Sequence, residues 1–167
     1  MITVNIKKIN EAARIPNQAN PGDFCYDVWA VSEEEIAPNV WRYGLGFKYE
    51  VLREPGCSLF GGGFDMFFLG SYDSSNYRLS IDLRPRSSIW KTGMVLANSI
   101  GTLDEFYRGE AMAVFYHVMP NMPRYKVGDK IGQIVLSVAP LVQFLEKDEI
   151  NEDTQRGTNG FGSTGKQ

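Results

Sequence analysis

Cysteine, histidine and long apolar runs are scarce in this chain of 167 residues, which contains two Cys and one His. Cys25 and Cys57 form no Cys-x-x-Cys or Cys/His cluster. We therefore expect two free thiols in a reducing compartment, and neither a disulfide framework nor a zinc site. No apolar run approaches the ~20 residues of a membrane span, and the alternating amino terminus lacks the apolar core of a signal peptide. These absences predict a soluble, cytoplasmic protein without a membrane partner.

The chain also lacks an excess of positive charge. Its formal net charge is −3, whereas proteins that bind polymeric nucleic acid usually carry a basic excess that neutralises phosphates. We therefore expect no polymeric nucleic acid among its partners. Glu33, Glu34 and Glu35 form an acidic run that we interpret as a solvated surface. With 43% hydrophobic and 22% charged residues, the composition is typical of one globular domain.

Short alternating segments between turns dominate what is present. Strands are predicted at residues 2–6, 24–31, 44–52, 79–83 and 131–141. Helical patterns of about 10–15 residues are absent, apart from one short helical turn at 89–91. The pattern predicts an all-β fold, an antiparallel sandwich or barrel over residues 1–150. Residues 151–167 are polar without periodicity, which indicates a mobile carboxy-terminal arm.

The densest group of functional side chains lies at residues 98–110. Apolar strand-like segments at 94–97 and 111–116 flank it, which predicts a β-hairpin with a carboxylate, an aromatic ring and an arginine at its tip. Tips held by rigid strands are common sites of chemistry. Taken alone, the stretch is better interpreted as an ordinary polar hairpin loop, and it is the other segments of the chain that favour a functional site.

A second group, at residues 84–88, places two guanidinium groups and two hydroxyls at the end of a predicted strand. Arginine matches phosphate as a planar fork and serine adds a compact donor, although a simple basic turn has the same composition. Asp27 and Gln133 are polar residues inside apolar strands. Each is compatible with a structural hydrogen bond or with a binding site.

Together, five segments in order resemble the motifs of the homotrimeric dUTP pyrophosphatase (dUTPase) family. They are residues 23–30, 85–88, 98–110, 128–133 and 156–165. The third and fifth segments carry the specific patterns, Gly-x-x-Asp-x-x-Tyr-Arg-Gly-Glu and Arg-Gly-x-x-Gly-Phe-Gly-Ser-Thr-Gly. The chain departs from the usual family residues at Cys25, Asn159, 88–90 and 130–132. Residues 57–77 resemble an insertion.

The resemblance implies a jelly-roll-like fold, and a homotrimer whose active sites are shared between subunits. It also implies Mg²⁺-assisted hydrolysis of dUTP to dUMP and pyrophosphate. Asp104 would be the general base for the water that attacks the α-phosphorus. Tyr107 would lie against the deoxyribose. The uracil would be read by Asn98 and by backbone groups of the hairpin, including Gly101 and Leu103.

The same resemblance assigns the phosphate-binding residues and the metal. The phosphates would be held by Arg86, Ser87, Ser88 and Gln133. Asp27 would contact Mg²⁺ indirectly, through water, since this ion keeps several waters and binds largely through substrate phosphates. In the arm, Phe161 would stack on the uracil. The other arm groups would close on the phosphates; they are Arg156, Gly162, Ser163 and Thr164.

Two alternative functions remain open. A dCTP deaminase has the same fold, but its chemistry requires a Glu five residues after the glycine that is Gly109 here, and that position is Val114. The chain could instead be a regulatory protein that binds dUTP. The intact Asp104 and Tyr107 favour catalysis without excluding a second role.

Overall fold

The computed structural model describes residues 2–52, 77–155 and 157. The described strands are β1 (Thr3–Lys8), β2 (Tyr26–Trp29), β3 (Ser32–Ala37), β4 (Val40–Gly44), β5 (Phe47–Leu52), β6 (Tyr77–Arg84), β7 (Met94–Leu96), β8 (Gly101–Asp104), β9 (Met112–His117) and β10 (Lys130–Pro140). A short 3-10 helix spans Ser87–Lys91, in agreement with the predicted helical turn. Within the described ranges, no helix has the length and apolar character needed to cross a bilayer.

The strands form three antiparallel sheets. A two-stranded sheet joins β1 to β5, and two four-stranded sheets have the orders β2-β10-β6-β8 and β3-β4-β9-β7. The predicted all-β antiparallel architecture is therefore confirmed. Of the predicted insertion at 57–77, only Tyr77 belongs to the described residues.

The core lies where the inward faces of these sheets meet. Alternate residues of β5 and β6 are buried, as the side-chain period of two requires. Tyr43, Phe115 and Tyr125 pack edge to face, with ring centroids 5.8 Å apart for Tyr43–Phe115 and 5.4 Å apart for Phe115–Tyr125. A fully buried side chain of this kind stabilises the fold by about 1.5–3 kcal/mol.

The segment predicted as one strand at 44–52 is instead the end of β4 and all of β5. Gly46, between them, has φ +73°, and a Cβ there would lie 2.7 Å from Val31 Cγ2. Only glycine satisfies both constraints without strain. The glutamates of β3 also differ from expectation, because Glu33 is half-buried and ion-paired with Arg124 at 3.1 Å.

The predicted hairpin is formed only in part. β7 pairs with β9, with Leu96 opposite Phe115, but the chain between them leaves this sheet. It forms β8, which pairs with β6 in the other four-stranded sheet, with Leu103 opposite Ile81. Leu103 packs against the core there, so this pairing buries part of its apolar side chain.

Candidate active site

Asp104 is the last residue of β8, and its side chain is exposed. Its backbone carbonyl accepts a hydrogen bond from the Tyr107 N–H at 3.0 Å, which closes a turn at residues 104–107. The same carbonyl accepts a second hydrogen bond from the Tyr49 hydroxyl at 2.5 Å. Burial, followed by the nearby charge of Asp104, raises the pKa of Tyr49 to about 12.

Two further side chains hold this turn. Glu105 is buried, with 6% of its surface exposed, and its carboxylate accepts a hydrogen bond from the Leu79 N–H of β6 at 3.3 Å. Arg108 donates to the backbone carbonyls of Glu105 and Tyr107 at 2.9 and 3.1 Å. The turn that carries Asp104 is thus attached to the protein through both its backbone and its side chains.

Tyr107 lies over the backbone that follows it. Its hydroxyl donates to the Glu110 carbonyl at 3.1 Å, and a Cβ on Gly109 would lie 2.2 Å from that hydroxyl oxygen. Glycine at this position is therefore a steric requirement of the Tyr107 ring. The Glu110 carboxylate accepts from the Gly46 N–H at 2.8 Å, which attaches the loop to the turn between β4 and β5.

Asn98 and β8 border an open sheet edge. In the described part of the chain, β8 pairs only with β6 and is the outermost strand of its sheet. A Cβ added to Gly101 would lie 3.5 Å from the Asn98 side-chain nitrogen, so the Asn98 amide lies beside the start of β8. Leu103, further along the strand, is half-buried. The free edge can offer backbone donors and acceptors to a flat polar ligand.

The residues predicted to hold the phosphates lie around the start of β10. Gln133 is opposite Asp27 of β2 and Arg84 of β6, and its side-chain N–H donates to the Pro85 carbonyl at 3.2 Å. The Arg86 guanidinium donates to the Lys130 carbonyl at 3.4 Å. Ser87 and Ser88 follow at the start of the 3-10 helix. The structure therefore brings Asp27, Gln133 and the 85–88 segment together.

Lys130 belongs to this cluster and was not among the predicted site residues. Its ammonium lies 2.6 Å from the Asp27 carboxylate and 5.4 Å from the centre of the Trp29 ring, while the Arg14 guanidinium lies 5.2 Å from the same ring. In the sequence, Lys130 appears only as a departure from the family pattern, and Arg14 gives no signal. The cations surrounding Asp27 make this region suitable for a polyanion.

The described residues provide no ready-made metal cage, since they contain no group of three or more His, Cys, Asp or Glu side chains placed to hold an ion. Asp27 is a single carboxylate already paired with Lys130. Such a donor set does not fit a dedicated protein-bound cation. It does fit Mg²⁺ that arrives with a triphosphate and keeps most of its waters.

The two halves of the predicted site lie at different positions along β6, one at its middle and one at its end. Asp104 is opposite Ser80, whereas Gln133 is opposite Arg84. Four residues separate these positions, and at about 3.3 Å per residue they are roughly 13 Å apart along the strand. Within the described chain, Asp104 and Tyr107 are therefore not beside the predicted phosphate-binding residues.

The carboxy-terminal arm is described only in part. Arg156, Phe161, Gly162, Ser163 and Thr164 lie outside the described residues. Before them, residues 141–155 follow β10 without forming a strand and are exposed. The exposed apolar side chains of this segment are Leu141, Val142, Phe144, Leu145 and Ile150.

Comparison with known proteins gives a consistent result. A sequence model described as dUTPase matches residues 77–165. The chain is 30% identical to the deoxyuridine 5'-triphosphate nucleotidohydrolase of Alkaliphilus metalliredigens, over 99% of both chains. It is 30% identical to the protein of that name from Helicobacter pylori strain J99, over 97% of this chain and 96% of the relative.

Solved structures show the same fold. The dUTPase of Staphylococcus bacteriophage 80alpha with dUPNHPP superposes with a TM-score of 0.65 at 18% identity, over 98% of both chains. A mutant dUTPase from phage phi11 of S. aureus, in which the coordination of a structural Mg(II) ion is described, superposes with a TM-score of 0.61. It is 15% identical over 89% of this chain and 98% of its own. The jelly-roll-like character of the fold is thereby established.

Proposed function

This chain belongs to the dUTPase family and is a dUTP diphosphatase, and we propose that it releases pyrophosphate by attack of water on the α-phosphorus, with Asp104 as the general base. The strongest support is the turn at 104–107, in which Asp104 is exposed and Tyr107 is 41% exposed. A carboxylate that takes the proton from the attacking water contributes roughly 10²–10⁴-fold to the rate. Alignment and electrostatic stabilisation supply the remainder.

Tyr107 and the β8 edge select the nucleoside in this proposal. The Tyr107 ring, held by its bond to the Glu110 carbonyl, would lie against the deoxyribose and leave no room for a 2′-hydroxyl. The uracil would pair with the backbone at Gly101 and Leu103 as an added strand does, with Asn98 reading the same base edge. This assignment is supported by the position of β8 at the sheet edge.

Arg86, Ser87, Ser88 and Gln133 would bind the phosphate chain, since together they offer guanidinium, hydroxyl and amide donors. Bound Mg²⁺ would neutralise part of the charge that develops on the phosphate oxygens. Asp27 would accept hydrogen bonds from the waters around that ion. For this, Lys130 would turn from Asp27 toward the phosphates, and its flexible side chain permits such a movement.

The arm would complete the site after substrate binds. Phe161 would stack on the uracil, which is worth roughly 1–3 kcal/mol for a base on an aromatic ring. Arg156, Ser163, Thr164 and the backbone at Gly162 would contact the β- and γ-phosphates. Closure would exclude water and so strengthen these interactions.

A cytoplasmic location also remains a prediction from the sequence.

We further propose that the enzyme is a homotrimer in which each site combines Asp104 of one subunit with Arg86 and Gln133 of another. The separation of roughly 13 Å between these groups along β6 supports this arrangement. A water beside Asp104 and an α-phosphate held by Gln133 must be in contact. Two copies of the chain meeting at these surfaces would satisfy that requirement, as closed symmetric oligomers allow.

The exposed tail at 141–150 offers a way to hold the subunits together. An apolar cavity of about 290 Å³ is lined by Ile2, Val4, Ile6, Ile15, Pro16, Tyr26, Ile81, Ile134, Val135 and Leu136. Among the described strands, β1 pairs only with β5, so its other edge is open beside this cavity. Insertion of Phe144 and Leu145 from a neighbouring subunit would bury apolar surface on both sides.

The activity is tested by pyrophosphate release with dUTP, dTTP, dCTP and UTP compared side by side. We expect turnover of dUTP alone, because the other three differ at the base or the sugar. Asp104→Asn should still bind dUTP but lose turnover by at least about 100-fold. Undiminished turnover by this variant would refute the assignment of the base, and deamination of dCTP would support the deaminase alternative.

A further inference from the structure

The backbone carbonyl of Asp104 connects the Asp104 carboxylate and the Tyr107 ring, the two groups at the centre of the proposed function. It accepts the Tyr107 N–H at 3.0 Å and the Tyr49 hydroxyl at 2.5 Å. The first bond fixes where Tyr107 lies relative to Asp104. The second fixes where both lie relative to the core. A single side chain outside the sequence motifs therefore positions the two groups together.

Tyr49 is well suited to act as a fixed point. It is 2% exposed on β5, lies opposite Ile6 of β1, and has Phe47 and Val51 on the same buried face of the strand. Close packing leaves such a ring little freedom to move. Its pKa of about 12 keeps the hydroxyl protonated, so it remains a donor throughout the pH range in which the enzyme can be assayed.

Glu105 anchors the same turn from another direction. Its buried carboxylate accepts from the Leu79 N–H of β6, whereas Tyr49 reaches the turn from β5. The two strands belong to different sheets. The turn is thus held between layers of the core, and loosening either anchor frees Asp104 and Tyr107 to move together.

We propose that Tyr49, with Glu105 as the second anchor, is a positioning and specificity-determining residue of this enzyme. The inference rests on the proposed roles of Asp104 and Tyr107. Displacement of a reacting group by about 1 Å can cost roughly 100-fold in rate. Tyr49→Phe should therefore lower kcat for dUTP by about 10–100-fold with little change in KM, because Asp104 is misplaced.

The same substitution should also weaken discrimination against UTP. A displaced Tyr107 ring no longer closes the space that a 2′-hydroxyl would occupy. We therefore expect the ratio of kcat/KM for dUTP to that for UTP to fall by about tenfold or more, because the ring no longer excludes the 2′-hydroxyl. A residue with a merely structural role would leave both this ratio and kcat unchanged.

Tyr43→Phe is the matched control. Tyr43 is fully buried, and its hydroxyl donates to the Tyr125 backbone carbonyl at 2.9 Å, away from the turn at 104–107. Each variant loses one buried hydroxyl that donates to one backbone carbonyl. Thermal melting should therefore show losses of comparable size, while only Tyr49→Phe should change kcat and the dUTP/UTP ratio.

The decisive measurement is steady-state pyrophosphate release for both variants on dUTP and UTP, made below both melting temperatures. A folded Tyr49→Phe protein with the kinetics of Tyr43→Phe would overturn the inference and leave the proposed function intact. Should Tyr49→Phe not fold, Glu105→Leu takes its place, because it removes the acceptor of the Leu79 N–H. Unchanged kinetics there would overturn the inference. A wild-type protein without dUTP turnover would instead refute the proposed function, and the inference with it.

Discussion

Two inactive variants should restore activity when their subunits mix, if each site takes Asp104 from one subunit and Arg86 from another. Asp104→Asn removes the base, and Arg86→Ala removes a phosphate donor whose guanidinium is bonded to the Lys130 carbonyl at 3.4 Å. The two positions lie apart along β6, because Asp104 is opposite Ser80 in the middle of the strand and Arg86 is just beyond its last residue, Arg84. A mixed trimer can therefore contain sites in which both groups are intact.

The expected recovery of activity follows from the random assembly of the two variants into shared sites. With equal amounts of the two variants and random assembly, Asp104 comes from an intact donor in half of the sites, and Arg86 independently in half. About one quarter of the sites are then complete, so the mixture should recover about one quarter of wild-type turnover. The variants are unfolded together, refolded, and assayed for pyrophosphate release, and native mass spectrometry of differently tagged subunits measures the mixing.

A second mixture serves as the control. Asp104 and Tyr107 belong to one turn, closed by the bond from the Tyr107 N–H to the Asp104 carbonyl, so both always come from the same subunit. Asp104→Asn mixed with Tyr107→Ala should therefore recover no activity. If mixed trimers form and the Asp104→Asn/Arg86→Ala mixture also stays inactive, the shared-site proposal is wrong.

Phe144→Asp should weaken the trimer, because each docked side chain contributes about 1.5–3 kcal/mol; sedimentation at decreasing concentration would show dissociation, and an unchanged trimer would contradict the tail docking. Glu33→Gln should destabilise the fold by about 1.5–3 kcal/mol at neutral pH, since Arg124 bonds Glu33 at 3.1 Å. The control Glu34→Gln breaks an exposed pair with Arg42 and should cost about 0.2–1 kcal/mol. The hydrogen bond from Arg124 lowers the pKa of Glu33. The contribution of this ion pair to the free energy of unfolding is therefore fully present above the ordinary pKa of glutamate. In urea titrations, this contribution should vanish as the pH falls below about 4.

Much of the fold follows from local patterns. Alternation in β5 and β6 predicted strands with one buried face. The break at Gly46 was not recognised, because the residues on either side of it continue the alternation. Its conformation depends on Val31 and on Ala13, which would lie 2.9 Å from an added Cβ.

Tyr49, Glu105 and Lys130 give no distinctive local signal. Tyr49 belongs to an ordinary alternating strand, Glu105 to a polar loop, and Lys130 to the start of β10. Each acquires its role from a partner distant in the sequence, such as Asp104 for Tyr49 and Asp27 for Lys130. Contacts between residues far apart in the chain are not encoded in any short pattern.

The sequence by itself determined which chemical groups this protein has and how they are arranged over a few residues. The order of Asp104, Tyr107, Gly109 and Glu110 specifies a turn and a ring position through short-range sterics and hydrogen bonds. Only the tertiary structure decided that Asp104 pairs with the middle of β6 while the predicted phosphate-binding residues gather at its carboxy-terminal end. Strand register is set by burial across the whole sheet, and that burial places the two predicted halves of the site roughly 13 Å apart along β6.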